Sequence, residues 1–216
     1  MKRCIMILAG AFLLWNLVPD SRCPAQARPE SREKMLEAFS TVKSIRTGFT
    51  QEKRMKILAR PLVSEGRFWY RSPTDIRWEY TSPIQSVLLM DGGDVKRYTW
   101  RKSAWEQDRG SGLEAMRFVL QDISGWVSGD FESSPHFGAE LQSGPPVRVV
   151  LTPRDPSMEA FIQRVVLTLS SRPGILESVE IVEGPASSTL IRFRNTEINI
   201  PFPPGLFRDV RIPDRP

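Results

Sequence analysis

The chain has 216 residues, a formal charge of +5, 40% hydrophobic residues, one histidine and two cysteines. The positive charge is spread along the chain with no Lys/Arg cluster interleaved with stacking aromatics, which argues against a nucleic-acid surface. The lone histidine leaves no His/Cys set from which a zinc site could be built.

The first 27 residues read as an export signal. Met1-Lys2-Arg3 is a short basic start, Ile5 to Val18 is apolar except mainly at Gly10 and Asn16, and Ala25-Gln26-Ala27 is an A-x-A cleavage site. The apolar run is short for a membrane span, and no other run in the chain approaches ~18 apolar residues. An uncleaved anchor is the alternative; a lipidated Cys23 is disfavoured by Arg22 directly before it. Cleavage after Ala27 leaves 189 of the 216 residues, 28–216, long enough for one domain with a sizeable core. Three cations and one anion leave with the signal, taking the charge from +5 to +3. Both cysteines, Cys4 and Cys23, leave too, so the exported chain has neither disulfide nor thiolate chemistry.

Glu30 to Lys43 is expected to be helical, with Met35, Leu36, Phe39 and Val42 forming one apolar stripe. The stripe serves either core packing or a ligand cavity. Ile45 to Leu58 is a first strand with Ile45, Thr47, Phe49 and Gln51 on one face; Lys53, Arg54 and Lys56 bring polarity near its end. Leu62–Gly93 holds three alternating runs between Ser-Pro-Thr-Asp, Thr-Ser-Pro and Asp-Gly-Gly breaks, the signature of half-buried antiparallel strands. Ser64, Gly66, Phe68 and Tyr70 share one face against Arg67, Trp69 and Arg71; Ile76, Trp78 and Tyr80 oppose Asp75, Arg77 and Glu79. Asp91-Gly92-Gly93-Asp94 reads as a hairpin turn before Val95–Trp100. A calcium loop there would need more carboxylates and a bidentate Glu. Ala104–Gln107 is a further short strand.

Leu113, Met116, Val119, Leu120 and Ile123 give a second helix ending near Gly125. Strands then recur at 137–141, 147–151, 161–169, 175–182 and 189–194, separated by Pro/Gly breaks. Such short, evenly spaced strands point to an all-β sandwich or barrel. The final dozen residues, after the Pro201–Gly205 stretch, are expected to run extended over the surface.

Catalytic signatures are missing: there is no Gly-x-Ser-x-Gly elbow, no Walker loop and no dinucleotide fingerprint. His136 lies in a Ser-Ser-Pro-His-Phe loop, where solvation is its expected fate. Asp91 and Asp94 belong to a turn, not to a glycosidase pair. The positive signal is apolar: an aromatic-aliphatic sheet face and two amphipathic helices. The helices either fill the concave side or cover it loosely around a cavity.

The order of residues resembles the periplasmic outer-membrane lipoprotein carrier proteins, the LolA family. The resemblance rests on Phe49-Thr50-Gln51, the Leu62-x-Ser64-x-Gly66-x-Phe68-x-Tyr70 run, Pro73, Arg77-Trp78, Pro83, Asp91-Gly92, and the tail Phe202-x-Pro204-Gly205 with Asp209-Val210. It implies an incomplete antiparallel β-barrel whose opening is covered by a helical lid. The apolar interior would take lipoprotein acyl chains from an inner-membrane ATP-driven transporter and yield them to an outer-membrane acceptor. A non-transferring sensor or adaptor on the same fold is the alternative. No cofactor, metal or catalytic residue is implied, and a monomer is expected. Carried over, the cavity positions are Phe49, Phe68, Tyr70, Ile76, Trp78, Val87 and Leu89 from strands, with Met35, Phe39, Met116 and Leu120 from helices. The family places an arginine before the proline matching Pro73 and uses it to hold the lid. Here that position is Ser72 and the arginine is Arg71, which alternation turns away from Tyr70 unless a bulge intervenes. Ser72 and Arg77 are the other lid-contact candidates.

Overall fold

A computed structural model describes residues 34, 37–108, 112–159 and 161–212, without the side chains of 112–119. The signal region 1–27, Met35 and the Met116 side chain lie outside what is described. Eleven strands form one antiparallel sheet: β1 (Ser44–Arg54), β2 (Leu62–Arg71), β3 (Asp75–Ser82), β4 (Ser86–Asp91), β5 (Asp94–Arg101), β6 (Ala104–Asp108), β7 (Phe137–Gln142), β8 (Arg148–Pro153), β9 (Arg164–Leu169), β10 (Leu176–Gly184) and β11 (Ser187–Ile198). Their order is β6-β5-β4-β3-β2-β1-β11-β10-β9-β8-β7. The sheet is not closed into a barrel; β6 and β7 are its edges. Two helices accompany it, α1 (Gly112–Val127) and the single-turn α2 (Pro156–Glu159). Residue 34 and residues 37–40 are also helical, within the expected first helix.

Strand order dictates the path of the chain between the edges. Each edge strand is reached from its own side of the sheet, and the link from β6 to β7 contains α1. The helix therefore lies across the concave face, which it covers through Leu120, Ile123, Trp126 and Val127. Gly129, at φ +83°, ends the helix: the Gly129 amide donates to the Trp126 carbonyl and the Asp130 amide to the Gly125 carbonyl.

The alternation expected for residues 62–93 is observed, and the register shows how it stacks. Phe68 pairs with Thr47 and Trp78, Tyr70 with Ile45 and Ile76, and Trp78 with Leu88. These residues share the concave face. Phe49 is completely buried at its centre, edge-on to Trp78 at 5.5 Å and to Tyr80 at 5.3 Å between ring centroids. Opposite Phe49 stands Gly66, where a Cβ would lie 2.1 Å from the Glu79 carbonyl oxygen and 2.5 Å from the Phe49 ring. The glycine is required by the β3 carbonyl and the ring that close on it together. The Asp91–Asp94 turn is a tight hairpin, its Gly92 and Gly93 both at positive φ.

The convex face carries a second apolar cluster. Trp69, Leu206 and Phe207 are buried together, flanked by Phe202 and Ile212. The tail expected to run extended is instead a series of turns docked on the sheet, with the Arg208 and Asp209 amides both bonded to the Gly205 carbonyl. The first strand stops at Arg54, short of the expected Leu58, because residues 55–58 turn, with the Leu58 amide on the Met55 carbonyl.

Gly66→Ala is expected to destabilise the fold by about 1–3 kcal/mol, the usual range for overpacking a filled core. A lower urea midpoint at unchanged m-value checks it; a wild-type midpoint would show that both the Glu79 carbonyl and the Phe49 ring give way without cost.

Candidate functional site

Between α1 and the sheet lies a cavity of about 70 Å³. Its wall is formed by Ile123, Trp126 and Val127 of the helix, Phe68 and Trp78 of β2 and β3, Phe137 of β7, and Val165, Val179, Ile181, Ile191 and Phe193 of β9 to β11. Ile162 and Leu176 also line it, and among the described residues no charged side chain enters the wall. A smaller cavity of about 30 Å³ shares Phe68, Val127, Leu176 and Phe193 and reaches Phe39, Ile45, Thr47 and Thr196. Both are smaller than the ~150 Å³ apolar cavities that hold one benzene ring.

Two indole N–H groups in this wall are unmatched. Trp126 is 5% exposed, and its indole N–H is buried with no hydrogen-bond partner among the described residues. Trp78 Nε1 is also buried without a hydrogen bond, although the Tyr80 hydroxyl lies beside it. A buried donor left unsatisfied costs about 1–3 kcal/mol. Tyr80 itself donates to Gln51 Oε1 at 2.8 Å, and burial raises its phenol pKa, so it stays a neutral donor.

Polar ties hold the second half of α1. The Tyr70 hydroxyl donates to the Pro73 carbonyl at 3.3 Å. Burial raises the Tyr70 pKa, and hydrogen bonding with the Ser72 and Ser128 side chains opposes the rise. Ser128 directly follows α1, where its hydroxyl donates to the Ser124 and Gly125 carbonyls at 3.0 Å, and it sets the helix end beside the β2–β3 turn. On the other flank, Ser134 Oγ donates to Asp122 Oδ1 at 2.8 Å and accepts the His136 and Phe137 amides. His136 Nδ1 meets Asp122 Oδ2 at 3.0 Å. His136 is thus a partner of the helix, not a solvated loop residue. The trio is no nucleophile relay, because the serine donates to the carboxylate instead of to the imidazole.

The sequence-derived positions divide accordingly. Phe68 and Trp78 line the larger cavity, and Phe39 and Phe68 the smaller. Phe49, Tyr70, Ile76 and Leu120 are buried in the same cluster without forming the wall. Val87 and Leu89 do not belong to this face: they pair with Glu79 and Arg77, and alternation places them on the convex side. Leu88 and Met90 take the concave positions. The remaining wall, from Phe137 and β9 to β11, is absent from the sequence-derived set, although Val179/Ile181 and Ile191/Phe193 alternate as plainly as Phe68/Tyr70.

Among the described residues, Arg71 and Arg77 find their hydrogen-bond partners on β3 and the tail, not on α1. Arg71 Nη2 pairs with Asp75 at 2.6 Å, and its guanidinium sits 4.8 Å from the Phe207 ring centroid, on the convex side. Arg77 is 2% exposed and uses all five N–H donors: two on Glu79, and the others on the carbonyls of Leu206, Asp209 and Val210. Arg77 latches the tail. Of the three candidates only Ser72 lies near the helix end, through Tyr70.

Residues 40–209 match the family model "Outer membrane lipoprotein carrier protein LolA". The chain belongs to the LolA family. Comparison with curated protein sequences finds no match. Among solved structures, the chain is similar to a DUF1329 family protein from Desulfovibrio piger, with 12% identity, 82% of this chain and 94% of that one covered, and a TM-score of 0.45. It is also similar to a LolA superfamily protein from Nitrosomonas europaea, with 13% identity, coverages of 83% and 97%, and a TM-score of 0.42. A third is the lipoprotein LppX of Mycobacterium tuberculosis, with 10% identity, coverages of 82% and 99%, and a TM-score of 0.40. Among the described residues, no helix is long and apolar enough to cross a membrane.

Arg77→Ala is expected to cost about 3 kcal/mol, because it leaves Glu79 and three tail carbonyls without their donor. Arg77→Lys should recover little of this, one ammonium replacing a planar fork. Urea melts followed by tryptophan emission check both; undocking of the tail should also shift emission from Trp69 to the red below the global transition. Wild-type melts for Arg77→Ala would remove the latch.

Proposed function

We propose that the protein is a periplasmic carrier that binds the acyl chains of lipoproteins under α1 and moves them from the inner to the outer membrane. It is exported by cleavage after Ala27, loaded by an inner-membrane ATP-driven transporter and emptied by an outer-membrane acceptor. The observation that carries this reading is a cavity walled by apolar side chains and shared between one helix and a curved sheet. Family membership supports it.

The size of the cavity adds a mechanistic point. At about 70 Å³ the site is collapsed relative to any acyl chain. Each methylene that enters an apolar site gains about 0.8 kcal/mol, so a chain of many methylenes can offset displacement of the helix. The unmatched Trp126 N–H favours the same exchange. Lifting α1 releases a donor that the closed form leaves unsatisfied, either to water or to an ester carbonyl of the cargo. A carrier gains from such a closed state: cargo affinity is reduced by the cost of opening, which lets the cargo leave.

Purified mature protein, mixed with membranes holding an acylated lipoprotein, the transporter and ATP, is expected to release the lipoprotein as a soluble one-to-one complex. Ile123→Glu and Phe193→Glu, which place a charge in the wall at partly buried positions, should abolish capture with little change in melting temperature. Leu89→Glu should lower the melting temperature instead, since Leu89 belongs to the convex side. Lipoprotein that stays in the membrane pellet with the wild-type protein would overturn the proposal. Capture without hand-over to acceptor membranes would reduce it to a binding module.

A further inference from the structure

The large hydrophobic side chains that remain exposed are not scattered. Ile57 (87% exposed), Leu58, Leu62 and Val63 surround the β1–β2 connection; Ile84 (65%) is the tip of the β3–β4 turn; Trp100 (42%) closes β5. Antiparallel order puts these three connections at one end of the sheet, where Lys53 pairs with Leu62, Glu65 with Ser82, and Ser86 with Thr99. The Trp100 amide bonds the Gln85 carbonyl at 2.9 Å, so the last two sites are contiguous. Phe161, 74% exposed, lies in the β8–β9 connection at the same end. Isolated exposed apolar residues need no explanation, but a gathered set does.

Charge is gathered with them. From Lys53 to Ser64 the chain holds Lys53, Arg54, Lys56 and Arg60 and no acidic residue. Lys56 and Arg60 bracket Ile57 and Leu58, and all four are exposed or nearly so. Lys53 meets Glu183 at 3.2 Å, while Arg54 approaches Glu52 at 3.9 Å with 67% of its side chain exposed. A solvated contact of that length is worth little and leaves Arg54 open to other anions.

We infer that this end of the sheet docks on the surface of an anionic phospholipid bilayer. Ile57 and Leu58, with Ile84 and Trp100 beside them, enter the headgroup–acyl boundary, and Arg54, Lys56 and Arg60 take lipid phosphates. The pattern of projecting apolar tips among long cationic stems suits a bilayer interface, where Lys and Arg keep their charge at the headgroups while their methylenes lie in apolar surroundings. Neither half alone gives firm attachment; apolar insertion and basic residues together do, reversibly. Ile57, Leu58, Ile84 and Trp100 are not among the residues lining the cavity under α1, so the inference does not depend on the identity of the cargo.

The mature chain without lipoprotein is to be sedimented with vesicles of phosphatidylcholine alone and of phosphatidylcholine mixed with phosphatidylglycerol. Binding is expected only to the mixed vesicles and should weaken as salt rises. The triple variant Arg54→Ser/Lys56→Ser/Arg60→Ser should lose affinity on the order of a hundredfold, from about one kcal/mol per basic residue at an anionic surface. Ile57→Asp/Leu58→Asp should abolish binding, and both variants should melt like the wild type because the altered side chains are not part of the core. Phe193→Glu, which targets the cavity, should bind vesicles normally. Absence of wild-type binding to mixed vesicles, or equal binding by the variants, overturns the inference. So does a protein–protein role: concentration-dependent self-association in light scattering that Ile57→Asp/Leu58→Asp removes, without any vesicle binding.

Discussion

An open sheet leaves its curved apolar face to be covered by something else. Here the chain solves this with one connection. Because β1 and β11 pair at the centre, the two halves of the sheet grow outward from the middle, and their last strands end far apart. The segment joining β6 to β7 must return across the face, and α1 is that segment. The helix packs by apolar contact on strands from both halves, and the cavity is the part of the interface that its side chains do not fill. Both the lid and the space beneath it therefore originate in the strand order.

The two faces of the sheet are stabilised in different ways. The concave face relies on rings: Phe49 meets Trp78 and Tyr80 edge to face, as Phe68 meets Trp78, Trp78 and Tyr80 stack, and Gly66 leaves room for both the Phe49 ring and the Glu79 carbonyl. Aromatic pairs of this kind each add about 0.5–1.5 kcal/mol beyond burial. The convex face relies on a buried guanidinium. Arg77 ties three tail carbonyls to the sheet and lies 5.6 Å from the centre of the Trp69 ring. Among the described residues, separating these systems leaves Asp122, at the flank, as the buried charge on the cavity side. Strength can then be added or lost on the convex side without changing what the concave side holds.

The strands are legible wherever apolar and polar residues alternate, as in Ile76-Arg77-Trp78-Glu79 and Ile191-Arg192-Phe193-Arg194. The sidedness of β4 is not. Val87-Leu88-Leu89-Met90 is apolar throughout because the sheet is covered on both faces there, and period-2 reasoning has nothing to read in such a run. Only the register with Ile76 and Trp78 decides it. The docked tail is hidden for a related reason: Leu206 and Phe207 are two adjacent apolar residues among turn formers, too few to carry a period. Arg77 reads as a lid-contact candidate because it is the next arginine beyond the Ser72-Pro73 turn, and sequence does not show which face will be roofed. His136 reads as solvated because its partner Asp122 is on the helix before it, a pairing that spacing in a loop does not reveal.

The described ties of α1 run to one strand. Asp122 accepts from Ser134 and meets His136, and the Trp126 ring meets Phe137 at 5.7 Å between centroids, so this part of the helix is fixed to the first residue of β7 and the loop before it. β7 is an edge strand and pairs with β8 alone. Any displacement of this part of the helix therefore loads a strand that has a neighbour on one side only. Cover and rim move there as one mechanical unit, and the stiffness of the β7–β8 pairing sets how far that unit yields.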